Sequence, residues 1–183
     1  MYFHFGVEKT IQAAAVLLRS EPNQRMEYLR LLKLLYIADR ESLAEVRRPI
    51  IGGRPVAMDH GPLHSEVLDL VKGAHPAEPL WSKHIRKDGY RVELRDDPGV
   101  MELSKCEVDK LTEVAERYAS LGVWELVELT QEFPEWRECY AKGTSTTIPM
   151  TAIIEAVHLS AERDQILQDA EEEHVLSRVF SKA

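Results

Sequence analysis

Apolar residues recur along this chain at helical and strand-like spacings, and the spacings predict its elements. Val7, Ile11, Ala14, Ala15 and Leu18 share one stripe of a helix running roughly from Val7 to Arg19. Glu21-Pro22-Asn23 breaks that stripe, because Pro cannot continue a helix and Asn favours turns. From near Met26 a second helix carries Leu29, Leu31, Leu32, Leu34, Leu35, Ile37 and Ala38, with Arg30 and Lys33 on the one narrow polar side. A helix apolar on nearly every face belongs in the middle of a core.

Arg48 to Met58 holds two Pro and two Gly among extended-favouring residues, which predicts a loop with short strand-like pieces and a tight turn at Gly52-Gly53. His60-Gly61-Pro62 reads as the start of a third helix that ends near Gly73, since Pro suits a first turn. Trp81 to Lys87 and Tyr90 to Leu94 flank Asp88-Gly89, a hairpin signal. Ser104 and Glu107 form a capping box ahead of Val108, Leu111, Val114, Ala115 and Tyr118, so a fourth helix starts there and stops at Gly122. A short fifth helix covers Trp124 to Thr130, and Phe133-Pro134 ends it.

Gly143 to Pro149 is small and polar and predicts a linker into two further helices, Thr151 to His158 and Ser160 to Phe180. The last has a narrow stripe, Ile166, Leu167, Ala170 and His174, beside Glu171-Glu172-Glu173. That stripe suits docking on its own domain or on a partner chain. The fold class expected is α+β and predominantly helical: a compact domain over residues 1–142 with a small antiparallel β-hairpin, and a helical C-terminal extension over 143–183.

Composition narrows the class. The chain has 183 residues, 44% of them hydrophobic, enough for one core but not two ordinary domains, and no apolar run approaches the ~20 residues of a membrane span. The first residues lack the pattern of a secretory signal, so a cytosolic setting is expected, with Cys106 and Cys139 reduced. Charge is uneven: fifteen basic and twelve acidic residues up to Arg95, eight and nineteen after it, within totals of 23 and 31 and a net charge of -8. Any contact with nucleic acid would fall to the N-terminal half.

Candidate chemistry is sparse. The GxxxxGK[ST] phosphate loop and the GxSxG elbow are both missing. Asp59, His60 and His64 would suit a metal-dependent hydrolase if one helix face held both imidazoles, but Gly61-Pro62 lies between them and no third ligand motif accompanies them. Arg47, Arg48, Arg54, Lys83, His84, Arg86, Lys87, Arg91 and Arg95 make a basic region. It serves as a solvated face, a nucleic-acid contact, or a match for an acidic partner or the chain's own acidic half. Trp81, Trp124 and Trp136 are core residues if buried and interface anchors if exposed.

Three segments carry a family resemblance: Leu31 to Arg40 (LLKLLYIADR), Arg48 to Val67 (RPIIGGRPVAMDHGPLHSEV), and Trp124 to Thr130 with Pro134-Glu135-Trp136. Together, in this order, they resemble the SocA-like antitoxins, or Panacea domain, over about Val7 to Tyr140. The resemblance implies a small cytosolic bacterial or phage antitoxin that neutralises a cognate toxin protein by direct binding, with or without handover to a Clp-type protease. It implies no catalytic residue, cofactor or metal. The turn from Gly52 to Pro62 would be held rigid against the second helix, with an Asp39–Arg54 ion pair beneath it. Arg54, Pro55, Met58, His60 and Trp124 are the candidate partner contacts, and Gly52, Gly53, Gly61 and Pro62 are assigned to turn geometry.

Overall fold

A computed structural model describes residues 1–180. In chain order it contains α1 (Val7–Arg19), β1 (Arg25–Glu27), α2 (Tyr28–Val46), β2 (Pro55–Met58), β3 (Gly61–His64), α3 (Ser65–Lys72), α4 (Glu78–His84), β4 (Ile85–Asp88), β5 (Arg91–Leu94), α5 (Lys105–Arg117), α6 (Val123–Gln131), α7 (Pro134–Cys139), β6 (Thr146–Thr147), α8 (Met150–Ala156) and α9 (Arg163–Phe180). The fold is α+β and predominantly helical, with two three-stranded antiparallel sheets ordered β1-β5-β4 and β3-β2-β6.

α2 runs through the centre, packed by α1, α5, α6 and β3. Every residue from Arg30 to Asp39 is buried, which explains the near-absence of polar positions in that stretch. The three charged groups it does bury must find partners inside, because an unpaired buried polar group is costly. Arg30 donates to Glu21 and to the carbonyls of Leu121 and Tyr118. Lys33 and Asp39 reach the β2–β3 hairpin, as described below.

α1 spans the predicted residues, and α5 begins at the predicted capping box, with Ser104 Oγ accepting from the Glu107 amide and Glu107 from the Ser104 amide. Three expectations need correction. The helix expected from His60-Gly61-Pro62 begins only at Ser65, and Gly61–His64 is instead strand β3, paired residue by residue with β2. Pro62 is accommodated because β3 is an edge strand, where a missing N–H breaks no ladder. The strand expected from Trp81 starts at Ile85, because Glu78-Pro79 opens α4 and buries Trp81 as its fourth residue. Pro134 does not merely end α6; it is the first residue of a further short helix, α7.

The segment read as a linker carries β6, whose Thr146 and Thr147 pair with Ala57 and Val56 of β2. Beyond it, Ile148, Met150, Ile154, Leu159, Ile166 and Ala170 bury against Phe3, Leu43 and Trp136 in a second apolar cluster. The stripe of the last helix therefore docks on its own domain through Ile166 and Ala170, while His174 remains exposed. No described helix is long and apolar enough to cross a membrane.

Candidate functional site

The β2–β3 hairpin gathers the residues singled out in the sequence, and interior polar groups hold it at both ends. At its base the chain turns through Gly52 at φ 68°, where an added Cβ would lie 2.4 Å from the His4 carbonyl oxygen. The Asp39 carboxylate, fully enclosed, accepts from the amides of Ile50 and Ile51 at 3.0 Å and of Gly52 at 3.2 Å. The expected Asp39–Arg54 ion pair does not form. Asp39 is consumed by the loop's own amides, and Arg54 is exposed, with its backbone N–H on Glu66 and its Nε donating to Ser65.

His64 lies beside Asp39, Nε2 to Oδ2 at 3.4 Å, and neither ring nitrogen has a hydrogen-bond partner among the described residues. The adjoining cavity, also lined by Tyr36, Arg40, Pro55 and Ile153, leaves about 20 Å³ for the centre of a water molecule, which is room for one water and no larger ligand. Burial pushes Asp39 up to about 7, against its three amide hydrogen bonds, and pushes His64 down to about 4. Burial disfavours both charged forms, so between those values the pair is a neutral acid beside a neutral imidazole. Next to it, fully buried Glu135 accepts from Tyr36 Oη at 3.0 Å and Arg40 Nε at 2.7 Å.

At the tip, Gly61 has φ 86°, and a Cβ there would meet Thr130 Oγ1 at 2.6 Å and Lys33 Nζ at 3.1 Å. Only glycine admits both the backbone and that approach. Lys33, with no exposure, donates from Nζ to the Pro62 carbonyl at 2.7 Å, and burial pushes it down to about 7. Trp136 Nε1 donates to the Met58 carbonyl, and Gln131 to the Asp59 carbonyl. Asp59 Oδ1 accepts from the Gly143 amide and Tyr140 Oη, which hold its carboxyl below the ordinary range. The tip is thus fastened by α2, α6, α7 and the 143–145 loop.

Met58, His60 and Trp124 come together at this tip. Trp124 is 59% exposed and stands edge-on to the His60 ring at 5.3 Å. Arg54 and buried Pro55 sit at the opposite end of the hairpin, a strand length of about 13 Å away. Gly52, Gly53 and Gly61 all adopt positive φ. Asp59, His60 and His64 are not brought together: the first two are exposed at the tip, while His64 is enclosed at the base. Among the described residues no group of three or more His, Cys, Asp and Glu side chains could hold a metal ion.

Most of the basic region is matched by acids of this same chain. Arg86 pairs with Glu93, Arg91 with Glu27 and His84 with Asp96, while Arg47 and Arg48 pair with Glu162 and Glu173 of the acidic extension. Sequence reasoning missed Lys33, Gln131 and Tyr140 as fasteners of the hairpin, and Glu135 as the buried acceptor for Tyr36 and Arg40 beside its base. The available signal was an isolated Lys within an otherwise apolar helix.

The family described as antitoxin SocA-like, Panacea domain, matches residues 31–137, which runs from the first turn of α2 through the hairpin and α6 into α7. No curated protein and no solved structure matches the chain.

Proposed function

The chain belongs to the SocA-like antitoxin family, and from that premise we propose that it binds a cognate toxin protein and neutralises it by direct contact. The supporting observation is the hairpin tip, where His60 on the fastened turn and Trp124 of α6 together present an exposed aromatic surface. Fixed, exposed aromatic side chains anchor protein interfaces because they lose little conformational freedom on binding and desolvate a large apolar area. On this proposal the chain contributes shape and surface and makes or breaks no bond.

Co-expression with the adjacent gene tests the proposal. The neighbour alone should arrest growth, and this chain should restore it. Trp124→Ala combined with His60→Ala should weaken the purified complex by about 30-fold, the loss of an anchor worth ~2 kcal/mol. A neighbour that is harmless alone, or a toxin that this chain neither binds nor relieves, overturns the proposal. Toxin lifetime in cells with and without a Clp-type protease separates handover for degradation from simple blocking.

A further inference from the structure

We propose that the groove beside the hairpin tip is a docking site for the C-terminal helix α9 of a second copy of this chain, so that self-association covers the partner-binding tip. The groove is an open cleft of about 420 Å³ between the start of α2, α3, the tip and residues 143–145. Leu29, Met58 and Leu68, all half-buried, form its apolar walls over buried Leu32 and Leu63. Cations stand at its edges: Lys72 lines it, and Lys142 lies beside Gly143 and acts on Asp59. Neither ammonium has an ion-pair partner among the described residues, unlike Arg19, Arg25, Arg47, Arg48 and Lys105. The one carboxylate in the lining, Asp59, already accepts two hydrogen bonds from its own chain.

The outer face of α9 has the complementary character. Its inner face is spent on the second cluster through Ile166 and Ala170, which leaves Val175, Leu176 and Val179 at 56%, 56% and 60% exposure. Val179 stands four residues after Val175 and three after Leu176, and i+3 and i+4 are the spacings of anchors in helix-in-groove recognition. One and two turns before them stand exposed Glu171, Glu172 and Gln168, which share a shallow surface with Val175 and Leu176. An apolar helix face flanked by carboxylates thus meets an apolar groove flanked by unpaired ammonium groups, and opposite signs favour that register over pairing of two acidic α9 faces. Three apolar anchors make a contact far smaller than a standard interface of about 20–30 residues a side, so the association is weak and concentration-dependent. Because Met58 and His60 line the same groove, a bound α9 and a bound partner exclude each other.

Sedimentation of the full chain from about 10 to 300 µM tests this, a range that brackets a weak complex. The wild type should shift to dimers or longer assemblies within that range, and about 0.5 M salt should weaken the shift by screening the flanking charges. Leu176→Glu and Lys72→Glu, both at exposed positions, should each weaken it about tenfold or more. An equimolar mixture of the two variants should associate more strongly than either alone, because each supplies the surface the other lacks. A wild type that stays monomeric throughout, variants that associate as it does, or a mixture no stronger than its components overturns the proposal.

Discussion

Replacing Lys33 with Met should change the stability of the fold in opposite directions at neutral and at alkaline pH. Burial takes Lys33 from 10.5 down to about 7 in the folded chain, a difference of about 3.5 pH units that corresponds to about 5 kcal/mol. The native state therefore binds fewer protons than the unfolded chain between about pH 7 and 10.5, and stability rises with pH across that window. Below pH 7 the fold carries the full cost of the enclosed ammonium, and above 10.5 it carries none. Met removes that cost and fills similar space, but leaves the Pro62 carbonyl without its donor, a penalty of about 1–3 kcal/mol that does not depend on pH. The variant should be more stable than the wild type by about 2–4 kcal/mol at pH 6.5 and less stable by about 1–3 kcal/mol above pH 10.5. The curves should cross between about pH 8 and 10. Urea unfolding followed by tryptophan fluorescence at several pH values measures this, because the other alkaline titrations cancel between the two proteins. A Met variant destabilised equally at pH 6.5 and pH 10.5 would refute the assignment of Lys33 as an enclosed, charge-penalised clasp.

Two further outcomes follow from the hairpin. Gly61→Ala should lower stability by at least about 2 kcal/mol in thermal unfolding, since it adds left-handed strain to a Cβ 2.6 Å from Thr130 Oγ1; a neutral Ala would show that the tip is not fixed as described. His64→Phe should alter acid sensitivity. The wild type binds no proton at His64 between pH 6.5 and about 4, where the unfolded chain does, so it should lose about 3 kcal/mol relative to the variant as pH falls through that window. Parallel acid-unfolding curves for the two proteins would sink that account.

Local signals were enough for α1 and α5, whose stripes and capping box act within a few residues. They misled at Gly61-Pro62, where a Pro that suits a helix start sits on a strand edge. Only the antiparallel pairing with Pro55–Met58 decides between those structures, and that pairing is not encoded in either segment alone. α4 shows the same limit, since Trp81 suits a strand or a helix until the core that receives it is known. Met58, His60 and Trp124 were legible as candidate contacts from the motif, but their meeting at one tip was not. The groove walls come from Leu29, Leu68 and Lys72, on two helices separated in the chain, and no spacing rule connects them. Asp39 was expected in an ion pair with Arg54. Its choice of three loop amides over Arg54 depended on the backbone path through Gly52.

Thr146 and Thr147 lie along the outer edge of β2, the strand whose last residue is Met58 at the tip. The tail is therefore sewn into the very sheet that carries the hairpin tip. A chain cut after Lys142 would strip that seam, leaving a bare strand margin next to the apolar patch around Ala57 and Trp136. Such a shortened protein would be expected to clump or borrow a strand from a neighbour, rather than survive as a smaller folded unit.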